Sequence, residues 1–158
     1  MIQGGELAVG AEAPDFTSST QHGTEVSLSD LLAESAVLVV FYPFAFTGTC
    51  TGELRRLEEL SADFLAAGVR PVSISCDAMF SQRVFAEQEG YSFWMLNDFW
   101  PHGAIARSYG VFHEDRGCAV RGSFLIGRDG RIVWSVVNPI GTARDLDDHL
   151  QQARTLLR

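Results

Sequence analysis

Apolar residues recur along this chain in two distinct rhythms. Between Ala36 and Phe46 the sequence reads AVLVVFYPFAF, and its part Val37–Tyr42 is apolar at every position. A half-exposed strand would alternate, so this run predicts a central strand of a parallel sheet, buried on both faces. Pro43 has no N–H to donate and ends the ladder there. Beyond Thr47-Gly48-Thr49-Cys50 the period changes. Leu54, Leu57, Leu60, Phe64 and Leu65 recur at spacings of three and four, with Arg55, Arg56, Glu58, Glu59 and Asp63 on the other faces. That is a helix, with Gly68 as its C′ residue.

A strand over Arg70–Cys76 follows, with Val72, Ile74 and Cys76 on one face. Asp77 is placed to cap a helix from Met79 to Glu89, which Gly90 closes. Phe93–Leu96 reads as a short strand and Ala104–Tyr109 as a short helix ending at Gly110. Gly122–Ile126 and Arg131–Val137 flank Asp129-Gly130, a hairpin signal in which both turn residues favour positive φ. The last segment, Ala143 to Leu157, is helical, with Thr142 and Asp145 at its start. Val26–Leu32 reads as an edge strand or a helical turn. The order β-α-β-α-β-α-β-β-α predicts an α/β layer structure with a central mixed sheet flanked by helices, the arrangement of a thioredoxin-like fold.

Composition narrows the function classes. The chain has 158 residues, 46% of them hydrophobic and 20% charged. That is one domain, residues 1–158, able to build a core. The net charge is −8, and all twelve basic residues are arginine. An acidic surface gives no footprint for nucleic acid. No apolar run approaches the ~20 residues of a membrane span. The opening Met1-Ile-Gln-Gly-Gly-Glu-Leu has no signal-peptide pattern, so the expected location is cytoplasmic. Four histidines without ligand spacing, and no glycine-rich phosphate loop, predict no metal and no cofactor.

Three cysteines make no disulfide framework. The ordinary reading of each is a small buried hydrophobe. Cys50 differs, because it follows a buried strand and begins a helix. Sites in open α/β sheets form at strand carboxyl ends. The first turn of a helix offers unpaired N–H groups and partial positive charge, and both favour a thiolate.

Pro43-Phe-Ala-Phe-Thr47-Gly-Thr-Cys50 has the spacing P-x-x-x-T-x-x-C and resembles the active-site motif of peroxiredoxins, thiol-dependent peroxidases. The resemblance implies that Cys50 is the nucleophile, that the Thr47 hydroxyl bonds the sulfur or a peroxide, and that Pro43 limits water at the sulfur. Read alone, Thr47 is a helix cap and Pro43 a strand end. The family's strand arginine matches Arg121 in Ala119-Val-Arg121-Gly-Ser, a position that without the resemblance reads as surface. Val9-Gly-Ala-Glu-Ala-Pro14-Asp15-Phe16 looks like the family's opening. Asn97-Asp-Phe-Trp100-Pro101-His102-Gly103 and Tyr109-Gly-Val-Phe112 resemble its one-cysteine subgroup, typified by alkyl hydroperoxide reductase E of actinobacteria. Together these segments span nearly the whole chain from about residue 9. The resemblance also implies a pair between Glu53 and Arg144 that orients the site; the alternative is two solvated surface charges.

On this reading Cys50 thiolate attacks hydrogen peroxide or an organic hydroperoxide and becomes a sulfenic acid. A resolving cysteine five positions downstream is excluded, since that residue is Arg55, and residues 119–158 contain none. Cys76 reads as a core thiol, and Cys118, in Asp115-Arg-Gly-Cys118, as an exposed turn thiol; either could resolve the sulfenic acid in an atypical two-cysteine cycle. The leading expectation is a one-cysteine cycle, its external reductant being mycothiol with a mycoredoxin or a thioredoxin-type protein. Phe44, Phe46, Phe80, Phe99 and Trp100 read as core, or else as an apolar entry favouring lipid hydroperoxides. A homodimer is expected, with Phe44, Phe80 and Trp100 at its interface. Two other classes compete: a thioredoxin-type oxidoreductase, which would need C-x-x-C where Thr47 stands, and a redox-inactive scaffold or holdase chaperone.

Overall fold

The computed structural model describes residues 7–157. Met1 to Glu6, most of the opening stretch read above, lie outside them. The elements in order are β1 (Thr17–Ser19), β2 (Glu25–Ser27), α1 (Leu28–Glu34), β3 (Ala36–Phe41), α2 (Gly48–Ala66), β4 (Val69–Ser75), α3 (Met79–Glu89), β5 (Trp94–Asn97), α4 (Ala104–Ser108), β6 (Phe112–His113), β7 (Cys118–Ala119), β8 (Arg121–Ile126), β9 (Ile132–Asn138) and α5 (Leu146–Leu156). A five-stranded sheet has the order β5-β4-β3-β8-β9. Strands β5, β4 and β3 are parallel, and β8 and β9 continue the sheet antiparallel. The expected central mixed sheet is therefore present.

Strand β3 shows why its sequence is apolar at every position. Val37, Val39 and Phe41 pack into one core with Leu28 and Leu31 of α1 and Ala106 of α4. Leu38, Val40 and Tyr42 pack into another with Leu54 and Leu57 of α2, Phe85 of α3, and Leu146 and Leu150 of α5. Successive side chains point to opposite faces, so covering both faces requires an uninterrupted run. Among the described residues no helix is long and apolar enough to cross a membrane.

Several expected boundaries move. Val26–Leu32 contains both a strand end and a helix, and Ser27 caps α1 by accepting from the Asp30 amide. Ala78, not Asp77, is the N-cap of α3. Helix α5 starts after Asp145, whose carboxylate accepts from the amides of Asp147 and Asp148; residues 142–144 are not helical. In the hairpin only Gly130 has positive φ, at 84°. Its N–H bonds the Gly127 carbonyl while the Gly127 N–H bonds the Arg131 carbonyl. The loop therefore has three residues, a turn closed by a left-handed glycine, instead of the two-residue form. Leu65 is exposed, and Ser61 takes its place on the buried stripe of α2.

Candidate active site

Strand β3 ends at the site, and α2 begins there. The connecting loop is tied by Asp77, whose carboxylate accepts from the Ala45 amide at 2.9 Å and the Ser75 hydroxyl at 2.6 Å. Phe46 adopts φ 68°, a left-handed conformation that costs a non-glycine residue free energy. Its ring packs on Phe85 with centroids 5.0 Å apart. Thr47 is the N-cap, and the first backbone bond of α2 runs from the Thr51 amide to the Thr47 carbonyl. The amides of Gly48, Thr49 and Cys50 precede that bond, so the positive end of α2 is presented at Cys50.

Cys50 is buried, with 0% of its surface exposed. Its sulfur accepts from Arg121 Nη1 at 3.3 Å. Arg121 begins β8 and is also buried, because strand alternation turns it, with Ser123 and Leu125, toward α2 and α5. Its Nε bonds the Ile140 carbonyl at 2.6 Å and its Nη1 bonds Glu53 Oε1 at 2.6 Å. The surface reading of Arg121 is thus overturned.

Glu53 stands one turn after Cys50 and meets Arg144 twice, Nε to Oε2 at 2.9 Å and Nη2 to Oε1 at 3.0 Å. The Arg144 amide adds a bond to Oε2 at 2.6 Å. Both residues are buried, so the reading of them as solvated charges fails. Burial pushes the Glu53 carboxyl up, but the Arg144 hydrogen bonds and the charges of Arg144 and Arg121 outweigh it and hold the group below its ordinary value.

The chain that carries this buried cysteine and its charge cluster is similar to known proteins. Residues 9–135 match the AhpC/TSA family. The chain belongs to this peroxiredoxin family. It is 41% identical to alkyl hydroperoxide reductase E of Mycobacterium tuberculosis over 139 residues, covering 88% of this chain and 91% of the relative. The 2-Cys peroxiredoxin BAS1 of Hordeum vulgare is 30% identical over 156 residues, 94% of this chain and 74% of that protein. Peroxidoxin BcpB of Mycobacterium tuberculosis superposes with a TM-score of 0.85 at 29% identity, covering 94% of this chain and 97% of that one. AhpC of Enterococcus faecalis gives 0.86 at 27% identity, covering 93% and 90%. This peroxiredoxin is accordingly a thiol-dependent peroxidase of thioredoxin-like fold.

The remaining expected residues are placed as follows. Thr47 is exposed and its hydroxyl donates to the Phe44 carbonyl at 2.8 Å, so its proton does not go to the sulfur, and its oxygen accepts from no helix amide. Pro43 is buried directly after the β3 run. Cys118, expected in an exposed turn, is fully buried in β7. Burial raises its pKa to about 11, and burial with the nearby Asp98 raises that of Cys76 to about 12. All three thiols are free. Phe44, Phe46, Phe80, Phe99 and Trp100 are exposed, Phe80 by 67% and Trp100 by 82%, so none is core. A groove of about 520 Å³ is lined by His113, Arg116, Val120, Val137, Pro139, Ile140 and Gly141; neither Cys50, Arg121 nor any of those five aromatics lines it.

The sequence reading missed Asp77's role in the loop, and also Ser123 and His149. Arg144 Nη1 bonds the Ser123 hydroxyl at 3.0 Å and the Gly122 carbonyl at 2.9 Å. Ser123 in turn lies 2.8 Å from His149 Nε2. The signal for Ser123 was its place two residues beyond Arg121 on one strand, hence on the same face.

Proposed function

We propose that Cys50 is the peroxidatic nucleophile, that Arg121 is the cation serving both thiolate and peroxide, and that one cysteine suffices for the cycle. The observation that carries this reading is the bond from Arg121 to the Cys50 sulfur inside a buried charge cluster. Two guanidiniums face a single carboxylate there, and a thiolate supplies the second negative charge that makes the set neutral. The thiolate attacks one peroxide oxygen. An S–O bond forms, the O–O bond breaks, and the departing alkoxide or hydroxide takes a proton to leave as alcohol or water. Arg121 stabilises the charge that develops on the leaving oxygen. Thr47, its own proton engaged by Phe44, presents a lone pair that can accept the hydroperoxide O–H. Pro43 keeps water off the sulfur.

The sulfenic acid then condenses with an external thiol, giving water and a mixed disulfide that a second thiol reduces. Cys76 and Cys118 suit resolution poorly, since both are buried and held as thiols. Mycothiol with a mycoredoxin, or a thioredoxin-type protein, is the proposed reductant, by likeness to the mycobacterial relative. A reducing compartment, the cytoplasm, agrees with three free cysteines. Organic hydroperoxides join hydrogen peroxide as substrates, by likeness to the mycobacterial alkyl hydroperoxide reductase E. We further propose one domain, assembling as a homodimer. Phe44, Phe46, Phe80, Phe99 and Trp100 all follow the carboxyl ends of the parallel strands β3, β4 and β5, and so share one rim of the sheet. Trp100→Glu should yield monomers by light scattering.

The deciding experiment is stopped-flow peroxide reduction with mass spectrometry of the oxidised protein. Cys50→Ser is expected to be inert, and peroxide treatment to leave Cys50 as a sulfenic acid. Activity in Cys50→Ser would remove the nucleophile, and a disulfide from Cys50 to Cys76 or Cys118 would replace the one-cysteine cycle.

A further inference from the structure

The site's hydrogen bonds do not stop at Arg144. They continue through Ser123 to His149, a residue that no part of the peroxidase reading requires. The direction of each bond follows from what each group can do. Arginine only donates, so the Ser123 oxygen accepts from Arg144 Nη1 at 3.0 Å. The Ser123 proton is left for its other neighbour, His149 Nε2, at 2.8 Å. His149 Nδ1 lies 2.8 Å from the Asp145 carbonyl, which only accepts. The ring proton therefore sits on Nδ1, and Nε2 carries the lone pair. Ser123 and His149 are both buried, and the His149 ring packs edge-on against Trp134 with centroids 4.8 Å apart. Burial first, and the Arg144 charge second, push the His149 pKa down to about 4, so the neutral ring is the form at neutral pH.

We propose that His149 is a positioning residue for the peroxidatic cysteine, acting as the acceptor that orients Ser123, and through it Arg144, Glu53 and Arg121, on the Cys50 sulfur. With the Ser123 proton drawn to Nε2, the hydroxyl oxygen is held toward Arg144 as an acceptor, and each bond polarises the next. Without that acceptor the hydroxyl turns, and Arg144 loses a fixed partner on the side away from Glu53. The ring is one of several residues packed at this place, so bulk alone is the competing explanation, and the test must separate acceptor from volume.

The inference rests on the Cys50 reading above. The experiment measures two quantities in His149→Leu, His149→Gln, Ser123→Ala and Cys50→Ser: the second-order rate with hydrogen peroxide, and the pH midpoint of the ultraviolet thiolate band. Leucine keeps apolar bulk and removes the acceptor, whereas glutamine brings a carbonyl oxygen to about the place of Nε2. His149→Leu is expected to slow peroxide reduction roughly three- to tenfold and to move the thiolate midpoint to higher pH. His149→Gln should restore both. Leucine and parent proteins alike in both readouts, or glutamine as impaired as leucine, would overturn the proposal. Should His149→Leu fail to fold, Ser123→Ala breaks the same link with a minimal change in volume. It is then expected to show the same two shifts, and their absence would equally overturn the idea. An active Cys50→Ser removes the peroxidase assignment itself, while an inert Cys50→Ser beside an indifferent His149→Leu removes only the role of His149.

Discussion

Glu53 carries one negative charge between two guanidiniums, and all three groups are out of water. Removing one member of such a set leaves a buried charge without its partner, which costs about 3–5 kcal/mol. Glu53→Gln keeps the shape and is expected to lose that much in urea unfolding, together with most of the peroxide rate. Arg56→Ala breaks solvent-screened pairs with Glu59 and Asp147 and should cost far less than Glu53→Gln. Equal losses in the two variants would show that the buried cluster has no special weight. Arg121→Lys asks a different question. Lysine keeps the charge but cannot reach Ile140, Glu53 and the sulfur from one planar fork. Its second-order rate should fall roughly a hundredfold, the scale of losing a fixed donor to developing charge. Cys50, Arg121, Glu53 and Arg144 were legible because each lies in a stretch with a recognisable pattern. His149 was not, since its partner Ser123 lies on another element and only folding joins them.

At the scale of elements, the parallel sheet has an edge at β5 that must not pair with another chain. Gln21 covers it: its side-chain amide donates to the Phe93 carbonyl at 3.0 Å and its side-chain oxygen accepts from the Met95 amide at 2.8 Å. One buried side chain thus imitates a neighbouring strand. Gln21→Ala leaves both backbone groups without that partner and should destabilise the fold by about 2 kcal/mol, measured by chemical denaturation; a loss within ~0.5 kcal/mol would mean that water replaces the side chain at no cost. Such a contact is invisible to periodicity, because its partners lie more than seventy positions apart. The same limit hid β1, β6 and β7 and left β2 open between strand and helical turn, since each has only two or three residues and carries no period. Longer elements were legible because Val37–Tyr42 and the α2 stripe repeat a burial rule many times. Asp77 shows the remaining ambiguity. An aspartate before a helix resembles a cap, but its carboxylate is taken by Ala45 and Ser75.

The whole molecule carries the cost of keeping His149 neutral. Its pKa is pushed down from 6.5 to about 4 by burial and by Arg144, against the opposing pull of the Asp145 carbonyl, Asp148 and Glu53. Above pH 6.5 both folded and unfolded chains hold the ring neutral, and the stability is at its full value. Between pH 6.5 and about 4 the unfolded chain binds a proton that the folded chain refuses, so stability falls as the pH falls. Glu53, held below its ordinary value of 4.5, adds a loss only at the acid end, when the buried carboxylate itself is protonated. Asp98 works the other way: burial raises its carboxyl above 3.8, so its protonation favours the fold as acid is added. The His149 contribution therefore comes first on acidification, and alone it amounts to about 2 kcal/mol between neutral pH and roughly pH 4.5. Urea unfolding at several pH values in this window should show a steep decline in the parent protein and a shallower one in His149→Gln, which has no ring to protonate. Parallel declines in the two proteins would assign the acid sensitivity to the carboxylates instead.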